Sequence, residues 1–252
     1  MNNYNKLKNN LEKLNLNKIN DNIDEYIDLI NKNKKNFIDA LYELTEGQVS
    51  FKDENAKLSL IRTAGFPYNK TFDDFDFTYQ PSLNKEEVLD LKNLRFIEKK
   101  ENILLIGSSG VGKTHLAIST GIECAKNRLS TYFITCYDLI QNLKKARLEN
   151  RLEQKMKVYV RYSVLIIDEI GYLPIEVDEA NLLFQLINKR YEKNTTIITS
   201  NINFNKWGEL FKDSVIASAI LDRLLHHSMI YNITGNSYRI KDKIESTDRN
   251  EN

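Results

Sequence analysis

Asn102-Ile-Leu-Leu-Ile-Gly107-Ser-Ser-Gly-Val-Gly112-Lys113-Thr114 is the stretch on which the fold turns. The stretch 102–106, apolar from Ile103 onward, reads as a buried strand. It leads straight into G-x-x-x-x-G-K-[ST], after which Ala117, Thr120, Gly121 and Cys124 recur at helical spacing. Strand, glycine-rich loop and helix form the context in which this motif holds phosphate. The backbone through Gly107, Ser108, Ser109, Gly110, Val111 and Gly112 can curl so that its N–H groups face phosphate oxygens. The helix N-terminus behind it adds partial positive charge. Lys113 is expected to reach the β- and γ-phosphates of ATP, and Thr114 to offer its hydroxyl to Mg2+. His115 follows directly and is grouped with the nucleotide-binding residues, in a mainly structural part.

Further strands are expected at 131–135, 164–167, 196–199 and 229–233, each separated from the next by a helical pattern. Short apolar strands alternating with helices predict an α/β fold, a five-stranded parallel sheet covered on both faces. The run Val164-Leu-Ile-Ile-Asp168-Glu169 ends in two carboxylates, where strand C-termini face a bound phosphate. Asp168 is expected to hold Mg2+, directly or through water, and Glu169 to polarise a water against the γ-phosphate. Thr196-Ile-Ile-Thr-Ser-Asn201 is a third element. If its strand inserts between the other two, Asn201 arrives beside the γ-phosphate, where an amide can orient the attacking water; alone it reads as a turn former.

Arg223, in Ile220-Leu-Asp-Arg-Leu-Leu on a helix expected over 215–227, suits an interface from which it reaches a neighbour's ATP. The alternative is a surface ion pair with Asp222 or Asp213. Arg239 follows the last strand and can touch nucleotide in cis. His226 and His227 sit at a helix end, where the dipole favours cations, with no further ligand at a matching spacing. Cys124 and Cys136 lack metal or redox spacing and read as buried thiols of a reducing compartment.

The chain has 252 residues, with 36 Lys and Arg against 35 Asp and Glu, a net charge of +1. Bulk charge therefore indicates no nucleic-acid partner. Residues 144–161 depart from that balance: Lys144, Lys145, Arg147, Arg151, Lys155, Lys157 and Arg161 face only Glu149 and Glu153, a local excess of five. The strip is either a solvated helix face or a sequence-tolerant contact to the DNA backbone. No apolar run approaches a membrane span, and the first residues carry no apolar signal core, so a cytoplasmic protein is expected.

Residues 1–64 read as small helices with faces that pack on a partner or on the main domain, the last starting near Ser50 and Asp53 and ending at Gly65. The stretch 65–101 reads as an extended Phe/Asp linker followed by a helix over 85–98. Residues 102–243 form the nucleotide-binding domain, and 244–252 a disordered tail.

With these residues in place, the sequence resembles the IstB-type ATPases of insertion sequences, in the AAA+ initiator clade that also holds DnaC-like helicase loaders. The resemblance runs from about residue 37 to 243. It rests on Arg62-Thr-Ala-Gly-Phe-Pro, Thr71-Phe-Asp-Asp-Phe-Asp-Phe, Asp168-Glu-Ile-Gly-Tyr-Leu-Pro, Asn188-Lys-Arg-Tyr-Glu, Thr199-Ser-Asn, Trp207-Gly-Glu-Leu-Phe-Lys-Asp, Ala219-Ile-Leu-Asp-Arg-Leu-Leu-His-His and Gly235-Asn-Ser-Tyr-Arg. It implies an ATP-hydrolysing helper of a cognate transposase that assembles on double-stranded DNA as a homo-oligomer with ATP at subunit interfaces. Asp168 and Glu169 become the Walker B pair, Asn201 sensor 1, Arg223 the finger in trans and Arg239 a sensor-2-like residue. Only 13 residues follow Arg239, so a full helical lid is not expected. The rivals are a helicase loader acting on single-stranded DNA and a P-loop metabolite kinase. The Asp168, Glu169, Asn201 and Arg223 set argues against the kinase.

Overall fold

The computed structural model describes residues 2–241, so the tail at 244–252 lies outside the described residues. The chain falls into two compact units, Met1–Ser59 and Leu60–Asn252.

In the first unit, α1 (Asn3–Lys13) and α2 (Asn17–Asn31) precede α3 (Phe37–Thr63), most of which belongs to this unit. Leu11, Ile19 and Leu44 are its buried centre, with Leu16, Ile23 and Tyr26 packed around them. The first turn of α2 has no cap from its own N-cap side chain. Gln48, buried on α3, supplies one: its Oε1 accepts the N–H groups of Lys18 and Ile19 at 3.0 and 3.3 Å. No helix starts at Ser50. The helix runs straight through it, and Asp53 pairs with Lys57 one turn on (2.6 Å) instead of capping. Gly65, at φ 75°, turns the chain after α3, and the Ala64 carbonyl accepts the N–H of Phe133 at 2.7 Å.

Residues 71–83 depart from an extended linker. Thr71 and Asp74 form a reciprocal cap around a 3-10 turn, Phe72–Asp74, and drop Phe72 and Phe75 into the core. The helix expected over 85–98 is broken. α4 (Lys85–Asp90) and α5 (Arg95–Glu98) flank a 3-10 turn and Leu94, which is left-handed at φ 55°. An unbroken helix would set Leu91 and Phe96 roughly 140° apart around its axis. The break lets both side chains enter one cluster with Val88.

The nucleotide-binding unit then alternates as expected: β1 (Asn102–Gly107), α6 (Lys113–Lys126), β2 (Thr131–Thr135), α7 (Cys136–Leu148), α8 (Leu152–Arg161), β3 (Val164–Ile170), α9 (Val177–Arg190), β4 (Thr195–Ser200), α10 (Trp207–Leu210), α11 (Ser214–Leu225) and β5 (Ser228–Ile233). All five strands are parallel in the order β2-β3-β4-β1-β5. Strand β4 thus inserts between β1 and β3. Alternate residues feed opposite faces of the sheet. Ile103, Leu105, Ile166 and Ile197 pack with α6 and residues 72–96. Leu104, Leu165, Ile167 and Ile198 pack with α7, α9 and α11. Trp207, fully buried between Phe204 and Phe211, anchors α10 in that second layer.

Arg190 is 1% exposed and has no carboxylate partner among its bonds. Its guanidinium donates instead to the Tyr159, Val160, Tyr162 and Thr195 carbonyls and to Thr196 Oγ1. It thereby ties α8, β4 and the end of α9 together, and burial brings its pKa down to about 9. Arg190→Ala strands several carbonyls at once. Urea denaturation is expected to show a loss of at least about 3 kcal/mol. A change under about 1 kcal/mol would contradict this clamp.

Candidate nucleotide site

The glycine-rich loop owes its shape to two close approaches. Gly112 sits at φ 100°, and a Cβ there would lie 2.5 Å from the Phe75 ring. Gly110 sits at φ 83°, and a Cβ there would overlap the Ser237 side chain. Residues 71–76 and 237–239 therefore close on the loop from two sides. Between them opens a cavity of about 480 Å³ at the C-terminal ends of β1, β3 and β4. Ligands of open α/β sheets bind at this edge.

Ser109, Gly110, Val111, Gly112, Lys113, Thr114 and His115 line the cavity, with Glu169, Thr199, Asn201 and Arg239. The Lys113 ammonium donates to the Gly107 and Ser108 carbonyls at 2.8 and 2.7 Å. Burial lowers its pKa. The His115 ring is occupied by the 71–76 segment, with Nε2 2.8 Å from the Thr71 carbonyl oxygen and an edge-on contact to Phe75. Burial lowers its pKa and favours the neutral ring.

The two acids at the end of β3 are set apart. Asp168 is buried and accepts from Thr114 Oγ1 (2.9 and 3.2 Å to its two oxygens) and from Thr199 Oγ1 (2.6 Å). Burial pushes its carboxyl pKa up; the two hydroxyls and the Lys113 charge oppose that shift. Glu169 interrupts the β3–β4 register with a left-handed φ of 62°, and its side chain is exposed in the cavity. Its N–H is held by Thr199 Oγ1 at 2.9 Å. Thr199 thus fixes both acids, a part that a threonine inside a β-run does not announce.

The strand insertion brings Asn201 to the same end of the cavity, next to Gly171. Sequence reasoning also missed Tyr68, Lys70, Asp74, Phe75, Asp76, Gln80, Tyr172 and Tyr238, which complete the wall. The alternation of Phe and Asp over 72–77 signals Asp74, Phe75 and Asp76, and the motifs at 168–174 and 235–239 contain Tyr172 and Tyr238; Tyr68, Lys70 and Gln80 carry no such signal.

Arg223 is not part of this cavity wall. On α11, its Nε donates to Asn188 Oδ1 (2.7 Å) and its guanidinium lies 4.8 Å from the Phe184 ring centroid; neither Asp222 nor Asp213 pairs with it. The basic strip folds as a hairpin of α7 and α8 rather than as one helix. Lys144 pairs with Glu179, Arg147 with Asp178 and Arg151 with Glu149, while Lys155 lies over the Tyr159 ring. Lys145, Lys157 and Arg161 are exposed with no ion pair among the described residues. No helix among them is long and apolar enough to cross a membrane.

Solved structures share this fold. DnaI superposes with a TM-score of 0.55 at 21% identity, covering 71% of this chain and 92% of that one. The DnaC helicase loader does so at 0.50 and 25%, covering 66% and 98%. The sequence relatives are nearer. The ATP-binding protein named for insertion sequence IS232 of Bacillus thuringiensis subsp. berliner is 51% identical over 241 residues, 96% of each chain. Its IS21 counterpart in Pseudomonas aeruginosa is 41% identical over 233 residues, 92% of this chain and 88% of the relative. The family profile described as IstB-like ATP binding protein matches residues 9–246. A P-loop cavity on an AAA+ sheet and relatives of this closeness lead to one conclusion: the chain belongs to the IstB-like ATP-binding proteins of insertion sequences.

Proposed function

We propose that this protein hydrolyses ATP as a homo-oligomer assembled on double-stranded DNA in the cytoplasm, where it recruits and stimulates a transposase, with hydrolysis resetting the assembly. The observation that carries the reading is the division of labour between two adjacent acids. Asp168 is turned in toward Thr114, while Glu169 is turned out into the cavity beside Asn201.

Thr114 and Asp168 present oxygen donors 2.9 Å apart, the type of donor that suits Mg2+. When bound, that ion supplies charge neutralisation on the phosphates. Lys113 exchanges its loop carbonyls for β- and γ-phosphate oxygens. Glu169 accepts the proton of the attacking water, and Asn201 orients that water. Thr199 is a positioning residue for both acids. Arg223, held outside its own cavity, serves the ATP of a neighbouring subunit, and Arg239 touches nucleotide in cis. The strip Lys144, Lys145, Arg147, Arg151, Lys155, Lys157 and Arg161 lies along the DNA backbone, with Lys145, Lys157 and Arg161 free to contribute most. On the first unit, α3 leaves Phe37, Ile38, Tyr42 and Val49 exposed, a surface for partner subunits or the transposase.

The test is the ATPase rate with double-stranded DNA, with single-stranded DNA and with neither. Double-stranded DNA is expected to stimulate most; stimulation by single strands alone would favour a helicase loader. Glu169→Gln is expected to keep ATP binding and lose at least about 100-fold in turnover. An unchanged rate would remove Glu169 as the base. Replacing Lys145, Lys157 and Arg161 together by alanine is expected to weaken DNA binding alike for all sequences. The slope of log affinity against log salt should fall by about 2 to 3. An unchanged slope would move the DNA contact elsewhere.

A further inference from the structure

Two helix ends meet away from the nucleotide cavity. α9 ends at Arg190, and Glu192 follows it with a left-handed φ of 56°. α11 ends at Leu225, and His226 and His227 follow it. The fold brings these three residues together although 34 positions separate Glu192 from His226. His226 Nδ1 lies 3.8 Å and His227 Nε2 3.6 Å from one Glu192 carboxylate oxygen. All three ligand atoms fall within 4.8 Å of one another.

We propose that Glu192, His226 and His227 form a three-ligand site for a borderline divalent transition-metal ion, best matched by Zn2+, with water completing the shell. Bonds of about 2.0–2.2 Å in a tetrahedral shell put neighbouring ligand atoms roughly 3.4 Å apart. The two separations from the Glu192 oxygen need to close by only a few tenths of an ångström, and the two imidazole nitrogens, within 4.8 Å of each other, close by rotation of their exposed rings. The side chains are 53%, 52% and 49% exposed, so they have room to do so, and the open positions face water. Two imidazoles and one carboxylate suit Zn2+, Ni2+ or Cu2+ and disfavour Mg2+. Both helices direct their carbonyl ends here, which adds negative potential. Arg223, one turn earlier on α11, points its charge at Asn188 and Phe184.

One group competes with the metal. Tyr191 Oη lies 2.6 Å from His226 Nδ1 and must give that nitrogen up. The ion would then pin together the ends of the two helices that carry Asn188 and Arg223. Binding to the folded chain alone raises its melting temperature.

The test titrates Zn2+ into tag-free full-length protein without nucleotide, following heat and melting temperature, with Mg2+ as competitor. One saturable equivalent is expected, with a raised melting temperature and no competition from Mg2+. His227→Ala and the conservative Glu192→Gln should each weaken binding by at least about tenfold and abolish the thermal shift. Circular dichroism and ATP binding check their folding, and if His227→Ala fails to fold, Glu192→Gln decides. Tyr191→Phe should bind at least as tightly as wild type. No saturable equivalent, or Zn2+ held equally well by Glu192→Gln, would overturn the site; loss of binding in a folded Tyr191→Phe would overturn His226 Nδ1 as a ligand.

Discussion

One hydroxyl holds the acid end of the sheet in working order. Thr199 Oγ1 donates to Asp168 and receives the Glu169 N–H, so a single side chain on β4 sets two neighbours on β3. It can do so only because β4 lies between β1 and β3. The same insertion delivers Asn201 to the end of the cavity. Glu169 takes a positive φ, a strained choice for a side chain with a Cβ, and strain of this kind is tolerated where the surroundings hold it. Here the surroundings are one hydrogen bond from Thr199 and the register break beside it. The outcome is two carboxylates, adjacent in sequence and opposite in environment, one buried on hydroxyls and one open to the nucleotide.

Much of this was legible from local pattern. The strand before the P-loop, the loop itself and the acids after β3 are contiguous signals, and their chemistry depends on nearest neighbours. Strand order was inferable only as a condition, and the fold meets it. What stayed hidden depends on distance. Thr199 looks like any β-branched strand residue until Asp168 stands 2.6 Å away. Phe75 looks like linker until it is found against Gly112. Leu94 breaks a well-patterned helix because Leu91 and Phe96 must reach the same cluster. Ser50 and Asp53 carry capping chemistry, yet they lie inside the unbroken α3, where Asp53 pairs with Lys57 one turn on.

The charge arithmetic changes in the same way. Near-neutrality in the sequence concealed a basic strip, and the fold divides that strip again, matching Lys144, Arg147 and Arg151 with acids and leaving Lys145, Lys157 and Arg161 to the solvent. Arg223 shows the complementary case. It is held by Asn188 and Phe184 and stays out of the wall of its own cavity.

The proposed site shared between subunits is tested most directly by mixing two variants, Glu169→Gln and Arg223→Ala, each expected to be inactive alone in the presence of double-stranded DNA. The first keeps the arginine and the second keeps the base. Some interfaces of the mixture then combine an intact base with an intact arginine, and partial recovery of ATP hydrolysis is the expected result. A mixture no more active than its two components would contradict a catalytic centre assembled from neighbouring chains.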